Sequence, residues 1–151
     1  MLVCMLVALS IGIEGGYNIP AVGFQNISTG TSVSLFAGRN MGIVDLTLSA
    51  QTSYFTGDNP SYTISATGLR LGMYKSNWPI SPVLSVGGHY INRGLNQSNE
   101  TGYAAGYSIG ALVNFRINQL LIYPKVYYDG LTDFKEHAGF LGFKIGIAYE
   151  I

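Results

Sequence analysis

The chain has 151 residues, which suits one domain and is short for two cores. It is 48% hydrophobic but only 11% charged, where a soluble domain carries roughly 25%, so a surface wetted on all sides would be starved of charge. Eight basic and eight acidic residues cancel and leave no electrostatic ground for a nucleic-acid partner, and a single cysteine, Cys4, excludes an intrachain disulfide and a thiolate metal cluster.

Residues 1 to 9, MLVCMLVAL, are apolar in both phases, and Ala8 and Ser10 put small residues where a signal peptidase reads. The stretch resembles the end of a secretory signal cleaved after Ser10; with no Lys or Arg before it, residues 1–10 are expected to be the remnant of a truncated one. The alternative is a longer first strand. The run is well below the roughly 20 apolar residues of a transmembrane helix.

From Ile11 the apolar period is two, which predicts strands. The first runs Ile11 to Ile19, the second Thr31 to Gly38, and the third Ile43 to Phe55 with the clearest alternation, Val44, Leu46, Leu48, Ala50 and Tyr54 against Asp45, Thr47, Ser49, Gln51 and Ser53. The fourth, Tyr62 to Tyr74, turns Tyr62, Ile64 and Ala66 outward and then changes phase to Leu69, Leu71 and Met73, which predicts a bulge beside Gly68. Ile80 to Ile91, Tyr103 to Phe115, Leu120 to Asp129 and Gly139 to Ile151 complete a set of eight. Connections 38–42, 75–79 and 116–119 are short, whereas 20–30, 92–100 and 130–138 are long and polar, so long loops are expected at one rim; 56–61 breaks the contrast.

Charge placement decides which solvent covers the sheet. Every acidic and basic residue lies in a connection or on the small, polar phase of a strand. A water-soluble carrier barrel of the lipocalin type would carry charge outside and apolar residues inside; a membrane barrel reverses this. The aromatic residues agree: Tyr17, Tyr54, Tyr62, Tyr90, Tyr103, Tyr128 and Phe140 fall at the ends with long connections, and Phe36, Tyr74, Trp78, Phe115 and Tyr149 near the short turns, as in two interfacial girdles. The expected fold is all-β, an eight-stranded antiparallel up-and-down transmembrane β-barrel spanning residues 11–151.

With IGIEGGYNI at the start and FKIGIAYEI at the end, the chain resembles the small eight-stranded outer-membrane β-barrel proteins of Gram-negative bacteria. The resemblance implies a place in the bacterial outer membrane, a monomer among outer-membrane lipids, and recognition of the last strand, residues 142–151, by the outer-membrane assembly machinery. That signal commonly ends in an aromatic residue; here Ile151 is last and the aromatics are Phe143 and Tyr149. Pro82 and Pro124 also depart from the pattern, because proline cannot donate to a ladder and a closed barrel has no free edge.

Chemistry is sparse. His89 and His137 are the candidates for a lipid-modifying hydrolase, but HYI and HAG supply no following Ser, and both read as rim or loop histidines. Asp129, Asp133, Glu136 and His137 follow no calcium or zinc spacing, so neither metal nor cofactor is expected. Glu14, Asp45, Arg70, Lys125, Lys144 and Glu150 share the inward phase and should form a lumen ion-pair network, with Asp45 against Arg70 and Glu14 against Lys144 or Lys125. Eight strands leave an interior that side chains fill, which favours a plugged lumen and a non-enzymatic structural or surface role through the long loops. A narrow porin, a lipid-modifying enzyme and a soluble lipocalin-like carrier are the alternatives.

Overall fold

The structure, a computed structural model, describes residues 9–23, 27–41, 43–57, 62–95, 98–132 and 137–151, with Tyr62, Leu95 and Ser98 as backbone only. Its elements are strands: β1 (Leu9–Val22), β2 (Ile27–Asn40), β3 (Asp45–Gly57), β4 (Tyr62–Tyr74), β5 (Ile80–Leu95), β6 (Ser98–Val113), β7 (Phe115–Ile117), β8 (Leu120–Thr132) and β9 (His137–Glu150). Each pairs antiparallel with its neighbour, and β1 pairs with β9 from Ser10↔Glu150 to Val22↔Gly139, which closes the sheet. β6 and β7 meet β8 at one offset, Leu112↔Lys125 and Phe115↔Ile122, so they form a single stave interrupted at Asn114. The nine elements therefore make an eight-stranded up-and-down barrel, and closure leaves the sheet without a free edge.

The prolines account for its irregularities. The β6–β7 interruption lies opposite Tyr123 and Pro124, where the ladder lacks a donor; Asn114 turns instead to the 75–79 turn, its backbone N–H donating to Pro79 O at 2.9 Å. Pro82 pairs with Ala111 on one side and lies beyond the last β4–β5 rung, Met73↔Leu84, on the other. Register is kept through both strands.

Two expectations fail here. β4 carries no bulge at Gly68: its register is unbroken against β3 and β5, and Ile64 and Ala66 face inward in the same phase as Arg70. Among the described residues, register shifts occur only at the upper ends, between Pro20 and Val22 and between Ile27 and Thr29. The long connections are also largely strand, leaving 23–26, 96–97 and 133–136 between strand ends. Where a hairpin has water on both faces, pairing continues while apolar alternation stops, so polar strand reads as loop. Leu9 and Ser10, expected in the leader, form the first rungs of β1; residues 1–8 lie outside the described part.

Outward positions carry an uninterrupted apolar belt that includes Ile13, Leu35, Leu48, Leu71, Val86, Ile109 and Ile145. Among the described residues, the only outward-facing strand side chains that can carry charge are Arg39 and His137, one at each rim.

Candidate functional site in the barrel lumen

Inward side chains sort into layers. Towards the rim that bears Leu9 and Ile151, the lower rim, Phe36, Tyr74, Val83, Leu112, Leu121, Tyr123 and Ala148 form one apolar cluster. Towards the upper rim Phe55, Ile64, Ala66, Ala104, Tyr127, Leu131 and Phe140 form a second, with Phe55 and Phe140 edge-on at 5.0 Å. Glycines on the facing strand make room for the aromatic rings: a Cβ on Gly142 would collide with the Tyr127 ring, and one on Gly146 with Tyr123. That is why the last strand alternates small residues inward with Phe143, Ile145 and Ile147 outward.

Between the clusters lies a connected polar layer. Lys125 Nζ donates to both Glu14 oxygens at 2.7 Å, and Tyr123 Oη and Ser34 Oγ donate to the same carboxylate at 2.8 and 3.1 Å. Lys144 Nζ sits 3.7 Å from Glu14 Oε2, donates to Gln51 Oε1 at 2.9 Å, and lies 5.0 Å from the Tyr127 ring centroid. Gln51 Nε2 reaches Asp129 Oδ2 at 3.4 Å. Arg70 then donates from Nη1 to Asp129 Oδ1 at 2.6 Å and from Nε to His89 Nε2 at 3.1 Å. An acceptor Nε2 requires the neutral imidazole protonated on Nδ1. The chain Lys125, Glu14, Lys144, Gln51, Asp129, Arg70, His89 thus crosses the lumen through β8, β1, β9, β3, β4 and β5.

Of the inward charges named from sequence, Glu14, Lys125 and Lys144 meet in this layer. Asp45 does not meet Arg70: β3 and β4 pair Asp45 with Tyr74 and put Ser49 opposite Arg70, four residues higher. Its carboxylate accepts the Ser76 backbone N–H in the lower turn, and the partner of Arg70 is Asp129. Glu150 is also at the lower rim, in a fork with Arg116. Asp129 is the residue that sequence reasoning missed, although its phase with Lys125 and Tyr127 marked it as inward. Gln51 and the Tyr123 and Tyr127 hydroxyls join the layer with no distinguishing sequence signal.

The girdle needs correction at three positions. Tyr17, Tyr54, Tyr90, Tyr103 and Tyr128 face outward towards the upper rim, and Trp78, Phe115 and Tyr149 are exposed at the lower one. Phe36, Tyr74 and Phe140 instead point into the lumen, in phase with Ser34, Arg70 and Lys144, where large rings close the two ends of a narrow barrel. The Tyr62 side chain lies outside the described part. His137 is on the outer face, stacked on Tyr107 and bonded to Tyr128 Oη at 3.1 Å, away from the lumen and from His89. Asp133 and Glu136 also lie outside the described residues; of the other two members of that loop set, Asp129 points into the lumen and His137 faces outward. Among the described residues no three His, Cys, Asp or Glu side chains converge on a metal position.

Geometry of this kind, an apolar exterior around a layered polar interior in an eight-stranded antiparallel barrel, defines the fold of the small outer-membrane β-barrels. No protein family and no curated protein matches the chain. Solved structures do. The N-terminal β-barrel domain of Pseudomonas aeruginosa OprF aligns at TM-score 0.62 and 16% identity over 93% of this chain and 97% of that one. Ail, the attachment invasion locus protein of Yersinia pestis, aligns at 0.62 and 12% over 96% and 97%, and neisserial surface protein A at 0.58 and 12% over 96% and 97%.

Proposed function

We propose that this chain is a non-enzymatic integral protein of the bacterial outer membrane, closed to ions, that meets other molecules through the hairpins of its upper rim. The observation that carries the reading is the outer face. Soluble monomers rarely expose apolar patches above a few hundred Å², whereas here the apolar belt runs right round the barrel and charge is confined to the rims. The likeness in fold to three outer-membrane proteins supports the same location. The layered interior supports a closed lumen, since each end is filled by an apolar cluster.

The upper rim is the surface that remains for contacts. β5 and β6 are 16 residues each, against the roughly 9–11 that cross the hydrocarbon, and the surplus residues Asn99, Glu100 and Thr101 are exposed. β9 serves as the assembly signal in this reading. His89 is buried in the lumen, bonded to Arg70, so it does not support lipid chemistry. Cell fractionation with gel mobility tests the proposal: the protein should enter the outer-membrane fraction, require detergent, and migrate differently when boiled. Recovery in a soluble fraction without detergent would sink it. Planar-bilayer recordings should show no steady conductance, and stepwise single-channel currents would establish the narrow porin instead.

A further inference from the structure

We propose that the lumen binds one small monovalent anion, of the chloride class, between Arg70, Lys125 and Lys144. Three observations converge on it. The first is charge: the polar layer holds the cations Arg70, Lys125 and Lys144 against two carboxylates, Glu14 and Asp129. Of the other described acids on the inward phase, Asp45 and Glu150 are at the lower rim with Ser76 and Arg116, and Glu100 is at the upper end opposite Arg93. His89, which accepts from Arg70 and is therefore neutral, adds no charge. One cation is in excess in a layer shut off by apolar side chains above and below, where an uncompensated charge is strongly disfavoured.

The second observation is an orphan donor. Arg70 is 3% exposed, its Nη1 and Nε are used by Asp129 and His89, and its Nη2 is buried with no protein partner. Third, there is space. A cavity of about 50 Å³ lies between the polar layer and the lower apolar cluster, lined by Arg70, Lys125 and Lys144 and by the hydroxyls of Ser49, Ser85 and Ser108. Glu14 and Asp129 line it too, but each is already engaged by a cation. One water-sized particle needs roughly 10–15 Å³ of such volume, so a halide fits with a water or two. A single surplus positive charge selects a monovalent ion over sulfate or phosphate.

The full chain, refolded into detergent in sodium bromide or in sodium gluconate at equal ionic strength, tests this. Crystals grown from the bromide sample should show an anomalous peak within contact distance of Arg70 Nη2. In solution the urea unfolding midpoint should be higher in bromide and rise with the logarithm of its concentration as for one bound ion. Lys144→Met removes the surplus cation and leaves both short ion pairs; it should abolish the peak and the bromide dependence. Should that variant not fold, Ser49→Asp supplies a counter-charge on the strand facing Arg70 and should also make the midpoint indifferent to the anion. Equal midpoints in the two salts with water alone in the cavity overturn the proposal. So does a peak of undiminished height in Lys144→Met, or one with no solution effect, which would mark an adventitious ion only.

Discussion

The two faces of these strands are one residue apart in sequence and opposite in what they tolerate. Outside, between the rims, the described strands carry no charge; inside, five charged side chains and a histidine are woven into one layer. Neighbours such as Arg70 and Leu71 show the contrast at a single peptide bond, one 3% exposed in the lumen and the other 55% exposed on the belt. In the proposed outer-membrane setting, low dielectric lies on both sides of the sheet. In the central layer charge survives because each carboxylate is met by a cation, and in that setting its absence outside follows from lipid's supplying no partner. Deleting a charge should therefore harm the interior, adding one should harm the exterior, and neither should matter at the rim.

The largest effect is expected inside. Asp129→Ala leaves the Arg70 guanidinium without its counter-charge in a site closed to water, and should cost about 3–5 kcal/mol in reversible urea unfolding from detergent or vesicles. Pairing it with Arg70→Met should recover most of the loss, because two apolar groups leave no orphaned charge. A double variant no more stable than Asp129→Ala would break the claim that the pair, and not the shape of Asp129, is what matters.

On the other face, Leu71→Arg adds a charge to the middle of the belt and should cost about 2–4 kcal/mol in the same assay, falling towards zero for the same substitution at an outward rim position such as Thr101. A cost independent of depth would argue against lipid as the medium around the barrel.

Both faces were legible in the sequence to the extent that apolar and polar residues alternate, which fixed the strand count, the outward set and the inward phase of Glu14, Lys125 and Lys144. Two kinds of residue escaped. Ile64, Phe55 and Phe140 are apolar but inward, because a narrow lumen needs bulk at its ends, and a rule equating apolar with lipid-facing misplaces them. Asp129 escaped for a different reason. Its partner lies across the lumen on β4, not on a neighbouring strand, and contacts of that kind depend on how far the closed sheet is staggered, a quantity local alternation does not encode. The register of one hairpin also matters at the level of single ion pairs: placing Asp45 beside Arg70 is an error of four residues, about 13 Å along a strand, enough to move a charge from the central layer to the rim.

The rim provides the control that separates chemistry from location. Arg116 and Glu150 pair a guanidinium with a carboxylate as Arg70 and Asp129 do, through two nitrogens on two oxygens where Arg70 uses Nη1 alone, yet the Arg116 side chain is 42% exposed where that of Arg70 is 4%. In water each partner is well solvated alone, so Arg116→Ala should cost no more than about 1 kcal/mol, and less as salt rises. Part of even that loss would be packing, since an arginine lays its aliphatic stem along neighbouring apolar surface. Comparing Arg116→Ala with Arg116→Met separates the two contributions: a Met variant as stable as the parent in high salt assigns the residue to packing. A rim loss as large as that of Asp129→Ala would show that burial is not what makes the inner pair costly to break.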